Sequence, residues 1–333
     1  MKALPRLLDQ WPRERLGIAP TPLVPAPALG VAIGAPALWL KRDDLLGFGF
    51  GGNKVRSMSL ILADVRRAGA DVLVTGAGPQ SNWVRAAAAA AAAAHLAIDV
   101  VYWGEQPRQV GGNYLLTRLL GARCHFTGDP DRTSVDRAIA VRAGALRGEG
   151  REPYTVARGG ACALGVLAHV LAAAELADQC LAEGVTPAAI VLAVGSGATL
   201  AGWLLARKLL DVPWRIDGFT VSRPAAEIRP RVAELFGEAA ALLGAAVFLD
   251  KNEVVVHDGF LGPGYGVPSL EGNAAIRLAA QHEGVFLDPT YTGKAFAGLC
   301  HHIHTGQIPD DGPLVFVHSG GEPALFVHPE IAP

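Results

Sequence analysis

The chain has 333 residues, half of them hydrophobic, and a formal net charge of −2 at pH 7. That length allows one large domain or two ordinary ones with ample core, and a near-neutral balance without a basic cluster gives no electrostatic reason for a nucleic-acid partner. Cys124, Cys162, Cys180 and Cys300 are scattered, without a CxxC or paired metal-ligand spacing; the pattern is that of reduced thiols in a cytoplasmic protein. The opening stretch MKALPRLLDQWPRERLGIAPTPL is broken by charges and prolines and does not read as a signal peptide. No uninterrupted apolar run reads as long enough to span a membrane.

Along the chain, short apolar or β-branched runs alternate with longer Ala/Leu/Arg stretches. Strands are expected over 70–78, 97–104, 188–197, 215–222, 254–260 and 313–321. Helices are expected over 55–68, 82–95, 111–120, 133–148, 161–183, 199–210, 224–242, 269–283 and 293–305. The alternation argues for parallel sheets flanked by helices, an α/β protein. The alanine run at 86–94 reads as a helix packed closely against a sheet, because alanine is both the best helix former and the smallest side chain with a Cβ. The segments GDPDRTS (128–134) and REPYTVARGG (151–160) read as exposed connections.

GFGFGGNKVR (48–57) crowds glycines around Lys54, one of only six lysines among the 29 basic residues. Unlike arginine, a desolvated lysine can lose its proton and attack a carbonyl. Three glycine-rich turns follow strands. AVGSGATLAG (193–202) converges backbone N–H groups, adds the Ser196 and Thr199 hydroxyls, and opens a helix, which suits a phosphate. It is neither a Walker A loop nor a GxGxxG fingerprint. GAGPQSNWVRAAA (76–88) offers Ser81 or Asn82 as an N-cap, and the same groups suit a small carboxylate. FVHSGGEPALF (316–326) is the third. A reactive lysine beside a phosphate site points to pyridoxal 5′-phosphate.

Five segments carry a resemblance: LKRDDLLGFGFGGNKVRS, GPQSNWVR, VGSGATLAG, LDPTYTGKAFAGL and FVHSGGEPALF. Their order and spacing resemble the D-cysteine desulfhydrase / 1-aminocyclopropane-1-carboxylate (ACC) deaminase family from about residue 20 to the C-terminus, with L-cysteate sulfo-lyases as close relatives. The resemblance implies a two-domain pyridoxal-phosphate fold of type II, like the tryptophan synthase β chain. Residues 1–54 and 165–333 then form the larger, cofactor-binding domain, and 55–164 a smaller α/β domain that closes over the substrate. It further implies Lys54 as the lysine that attaches the cofactor, Gly195, Ser196, Gly197, Ala198 and Thr199 as the phosphate loop, and Asn82 at the cofactor's phenolic oxygen. Ser81 falls at the substrate carboxylate, Tyr291 against the pyridine ring, Tyr265 on the substrate side and Ser319 at the pyridine nitrogen. Ser81, Tyr291 and Lys54 are the implied catalytic residues, and a homodimer acting on a small amino acid is the implied assembly.

A hydroxyl at the ring nitrogen, unlike an aspartate, does not hold that nitrogen protonated, which favours prompt loss of a β-leaving group over transamination. Two positions separate the activities within the family. ACC deaminases carry a glutamate after the ring tyrosine, where this chain has Thr292; that favours β-elimination of sulfide from D-cysteine, giving pyruvate and ammonia. The family shows His or Gln after QSN, where this chain has Trp83. Its indole either narrows the substrate pocket or packs away under the helix. His301, His302 and His304 in CHHIHTG lack acidic or cysteine partners at metal spacing and read as a solvated helix end, so no metal is expected. KRDD (41–44), with Lys41, is expected to fix the cofactor loop through ion pairs; Lys294 sits in a family motif without the attachment signature. Glu271, at the start of a helix, either caps it or braces the site.

Overall fold

The computed structural model describes residues 10–309 and 312–332; the first nine residues of the N-terminal stretch lie outside them. In chain order the elements are β1 (Leu23–Pro25), α1 (Pro27–Ile33), β2 (Leu38–Arg42), α2 (Asn53–Arg67), β3 (Val72–Ala77), α3 (Asn82–Ala93) and β4 (Ala97–Tyr102). There follow α4 (Gly112–Leu119), β5 (Arg123–Phe126), α5 (Ser134–Gly148), β6 (Pro153–Thr155), α6 (Ala163–Glu183), β7 (Ala189–Val194) and α7 (Ala198–Leu210). The chain ends with β8 (Arg215–Thr220), α8 (Ala225–Leu243), β9 (Val256–His257), α9 (Leu270–Glu283), α10 (Thr292–His304) and β10 (Leu314–His318). Every expected helix is present to within two residues at either end.

Two sheets organise these elements. The larger has the order β1-β2-β10-β7-β8-β9 and is parallel except for β1, which runs antiparallel to β2. The smaller has the order β5-β4-β3-β6 and is parallel throughout. Both faces of each are covered, as parallel sheets require. In β7 the period of two divides the strand cleanly. Ile190, Leu192 and Val194 join the core under α6, α7 and α8, while Ala189, Val191 and Ala193 face α9 and α10. In β3, Leu73 packs toward α2 and α3, and Val72 and Val74 toward Val135 and Ile139 of α5.

The alanine run serves close packing. Ala86–Ala91 are buried, and the Cβ of Ala89 lies where a side chain on Gly49 would come within 2.7 Å of it. The small residues of α3 therefore let the backbone of the lysine loop approach.

Several short elements escape a reading by periodicity. β1, β5 and β6 have three or four residues each, too few to show alternation. β2 ends in Lys41 and Arg42, which resemble a surface segment, yet Lys41 is fully buried. The stretch expected as an exposed connection at 151–160 contains β6 and the buried Val156. His302, expected at a solvated helix end, is instead buried in α10, 4.9 Å from the Phe219 ring and 4.3 Å from that of His257. One helical stretch, Arg158–Glu183, is long and apolar enough by length and composition to cross a membrane, against expectation. Most of it is buried here, packed on α2, α7 and α8, which accounts for its apolarity.

A buried knot of charges joins the N-terminal segment to the core. Arg56 of α2 donates to Asp43 (Nη2–Oδ1 2.8 Å, Nε–Oδ2 3.1 Å) and to both oxygens of Glu175 in α6 (3.0 and 2.8 Å). Lys41 Nζ donates to Thr21 O and Gln179 Oε1, each at 2.7 Å, and pairs with Glu175. KRDD thus anchors the lysine loop, as its composition implies.

Burial alone raises the Glu175 carboxyl, but hydrogen bonds and charge from Arg56 and Lys41 bring it down to about 2. Its contribution to stability is therefore complete above its ordinary value of 4.5 and lost as pH falls from there towards 2. Glu175→Ala, which leaves two buried cations short of an anion, is expected to cost on the order of 3 kcal/mol. Urea denaturation at pH 7 and pH 3 checks this: the gap between wild type and variant narrows at the lower pH.

Candidate active site

One cavity of about 600 Å³ opens between the sheets, bounded by the residues that follow the carboxyl ends of β3, β4, β6, β7, β8 and β10. This is where parallel α/β sheets place their ligands. Lys54, Ser81, Asn82, Gly195, Ser196, Gly197, Thr199, Tyr265, Tyr291 and Ser319 all line it, although they come from six separate stretches of sequence.

Lys54 lies in the first turn of α2. The loop before it is held by Gly52 N donating to Asp43 O (2.9 Å) and Asn53 N to Ser319 O (3.0 Å). Gly52 has φ +90°, a conformation that favours glycine, and a Cβ there would crowd Ser319 O at 3.0 Å. Among the described residues the Lys54 side chain makes no hydrogen bond or ion pair. Loss of hydration brings its ammonium down to about 8, opposed only by the charge of Cys162. The other two lysines of the family motifs are committed elsewhere: Lys41 to the charge knot, and Lys294 Nζ to Leu261 O (2.6 Å) and Gly264 O (2.9 Å).

The phosphate-type turn is built as its sequence implies. Gly195 passes under Tyr291, where a Cβ would lie 3.2 Å from the ring, and Gly197, at φ +98°, leads into α7. Ala198 is the first residue of α7 and is buried. The Thr199 hydroxyl accepts from Asn53 Nδ2 (3.0 Å) and meets His169 Nε2 at 3.2 Å. His169 is fully buried and kept neutral by desolvation, then by the charges of Lys54 and Arg56. Asn53 sits in the lysine motif without a role read from it, and His169 carries no motif signal; their place beside the two loops marks them.

On the opposite wall, Ser81 caps α3, its Oγ accepting from Val84 N at 3.4 Å, which leaves its hydroxyl hydrogen for the cavity. Asn82 Oδ1 accepts from Asn113 Nδ2 (2.8 Å), which turns its own amide N–H groups outward. Arg85, one turn further along, is fully buried. It donates to Asn113 Oδ1 (2.8 Å), to Gly51 O (3.1 Å) and to Gly49 O. A single side chain thus clamps the lysine loop to the Ser81–Asn82 turn. Sequence reading missed it because one arginine near the start of a helix is indistinguishable from surface charge.

The hydroxyls of Tyr265 and Tyr291 are hydrogen-bonded to each other. Burial pushes Tyr265 up to about 12, and Tyr291 well above its ordinary range, so both carry their protons at neutral pH. Trp103 packs edge-on against Tyr265, with ring centroids 5.5 Å apart. The Ser319 hydroxyl has no partner among the described residues, while its carbonyl receives Asn53 N.

Three expected positions are corrected or resolved. Trp83 reaches the cavity floor, but its indole is only 1% exposed, turned into the core, with Nε1 donating to Thr75 Oγ1 at 2.8 Å and Gly160 laid across the ring. The indole beside Tyr265 is Trp103. Thr292 does not reach the cavity: its hydroxyl donates to Asp288 Oδ1 (2.8 Å) and accepts from Asp288 N (2.7 Å), closing the turn that presents Tyr291. Glu271 is exposed in the first turn of α9, where Ser269 is the cap. Asp44, His318 and Glu322 bring three possible metal-ligand atoms within 4.8 Å of one another. Arg42 already holds Asp44, and Phe286 O and Gly320 N take the two ring nitrogens of His318.

An unpaired, desolvated lysine, a glycine cradle at a helix start, an outward amide and a free hydroxyl fit an aldehyde-bearing pyridine phosphate. Residues 14–320 match the model of the pyridoxal-phosphate dependent enzyme family. A D-cysteine desulfhydrase of Salmonella choleraesuis (strain SC-B67) is 39% identical over 335 residues, covering 97% of this chain and 98% of its own. The solved structure of an ACC deaminase homologue matches with a TM-score of 0.92 at 34% identity, covering 99% of this chain and 98% of that one. The apo form of Escherichia coli diaminopropionate ammonia lyase, at 16% identity and a TM-score of 0.67, covers 98% of this chain and 92% of its own and shares the fold. The chain belongs to the pyridoxal-phosphate dependent enzymes, as a fold-type-II lyase.

Proposed function

We propose that the chain eliminates sulfide from D-cysteine, or a closely related β-substituted amino acid, yielding pyruvate and ammonia. One observation carries the choice beside the relationship to the Salmonella D-cysteine desulfhydrase: the only carboxylate that lines the cavity among the described residues, Asp136, is tied to Arg158 at 3.0 and 3.1 Å. The side chains that remain to exchange a proton are an amine and hydroxyls. That set suits a leaving group that departs readily as an anion, and a thiol, with its pKa near ~8.5, is one.

Bound pyridoxal phosphate supplies the carbonyl that takes up the substrate's amino group and the ring that withdraws electrons from Cα. Ser81 Oγ–H and the free N–H groups at the start of α3 orient the substrate carboxylate. Lys54 Nζ, once released from the cofactor, takes the proton from Cα, and its desolvated site keeps that amine near the neutral range in which a base works best. The Tyr265–Tyr291 pair holds a proton in the cavity, ready for the departing sulfur. Ser319 places a neutral hydroxyl where the resemblance puts the ring nitrogen. A smaller unit over 55–164 that closes on the substrate, a homodimeric assembly and a cytoplasmic setting belong to the same proposal, the last supported by four free cysteines.

The deciding experiment offers D-cysteine, L-cysteine, L-cysteate and ACC side by side to the loaded enzyme and measures keto acid and sulfide. Pyruvate with sulfide from D-cysteine is expected; 2-oxobutyrate from ACC alone would replace the proposal with the deaminase reading. Lys54→Ala is expected to abolish the visible absorbance of lysine-bound cofactor. Trp83→Phe removes one of the two partners of the Thr75 hydroxyl, which still donates to Val156 O, and is expected to lower stability by about 1 kcal/mol while the order of substrate preference stays unchanged. A reordered preference would return Trp83 to the substrate wall.

A further inference from the structure

The rim of the cavity carries a cation without an ion-pair partner among the described residues. Four arginines line it: Arg132 and Arg158 from the part of the chain that builds the smaller sheet, Arg223 and Arg231 from the part that builds the larger. Three are matched. Arg132 donates to Ser222 O (2.7 Å) and Glu227 Oε2 (3.2 Å). Arg158 holds Asp136, and Arg231 lies 2.6 Å from Glu234 and donates to Ala161 O at 3.1 Å. Among the described residues Arg223 makes no ion pair and no side-chain hydrogen bond, and its Nε is buried without a partner. Burial, followed by the like charges of Arg132 and Arg158, lowers it to about 10 against the single opposing charge of Glu227. A buried donor left unpaired is expensive, and a guanidinium more so.

Arg223 lines the same cavity as the glycine turn. Ser222, the neighbour of Arg223, donates to Gly195 O at 3.2 Å. Ser196 of the same turn donates to Gly159 O at 3.4 Å, beside Arg158. A phosphate monoester carries roughly −1.5 to −2 at neutral pH, and a helix N-terminus offers only about +0.5. The turn alone therefore leaves most of a phosphate's charge uncompensated, and Lys54 is committed to the aldehyde. We propose that Arg223 supplies the missing charge by binding the phosphate of pyridoxal phosphate on the 195–199 turn. The inference rests on the cofactor assignment and is independent of which amino acid is the substrate.

The test compares two ligands that differ only in the phosphate. Apoprotein is titrated with pyridoxal phosphate and, separately, with pyridoxal, following the visible absorbance of lysine-bound cofactor and the quenching of tryptophan fluorescence. Arg223→Gln is expected to weaken pyridoxal phosphate by about ten- to hundredfold while leaving pyridoxal within about twofold. Arg223→Lys, which keeps the charge without the planar fork, is expected to fall between. Inorganic phosphate, competing with the cofactor in the wild type, is expected to compete less well in Arg223→Gln. Equal losses for both ligands would mean a disturbed fold, and unchanged pyridoxal phosphate affinity would mean that the guanidinium serves a separate anion; either overturns the proposal. Absence of lysine-bound absorbance in the wild type would remove the cofactor assignment itself, a different failure with a different signature.

Discussion

The guanidinium of Arg56 sits between two carboxylates, Asp43 before the lysine loop and Glu175 in α6, two residues along the helix from Lys54. Everything the site needs from the lysine follows from that placement. An amine is useful here only if it is poorly hydrated, and a poorly hydrated amine tolerates no misplacement toward a carboxylate that would hold its proton. The knot gathers the nearby anions onto Arg56 and Lys41, so that Lys54 is left without one. Buried ion pairs are seldom a net source of stability compared with an apolar core of the same volume. Their use here is positional, in fixing where α2 begins.

A second buried arginine extends the same logic across the cavity. Arg85 satisfies carbonyls of the lysine loop and, through Asn113, sets the orientation of the Asn82 amide. The two walls that must meet the cofactor are therefore indexed to each other by backbone carbonyls and one side-chain amide, groups whose geometry is nearly independent of pH.

The sequence made legible whatever was written as a local pattern. Helices declared themselves by length and composition, and the glycine turns by what only glycine can do next to a strand end. Lys54 stood out because the chain otherwise uses arginine. What stayed hidden were directions and pairings. Trp83 occupies a position from which an indole can face either the substrate or the core, and only the hydroxyl of Thr75, eight residues away on β3, decides it. Thr292 looked like a substrate contact because of its neighbour, but the backbone N–H groups of the turn draw Asp288 inward, and Asp288 in turn takes the Thr292 hydroxyl. Arg85 and Arg223 differ from surface arginines only in what surrounds them, and sequence spacing does not carry that. The short strands β5 and β6 were missed because sheet partners, not their own residues, define them.

The nine alanines at 86–94 have a consequence for how this chain can change length over generations. A repetitive stretch invites the gain or loss of single residues during copying. Within an ordinary amphipathic helix one extra residue turns everything beyond it by about 100° and carries the apolar face out of the core. Here every face of the run bears the same methyl group, so such a slip leaves the packing surface chemically unaltered. Arg85 lies before the run and keeps its partners, so the clamp on the lysine loop is insulated. The disturbance is delivered instead to the far end, where His95, at φ +56°, turns the chain into β4. That junction, remote from the chemistry, is where a change in helix length has to be absorbed.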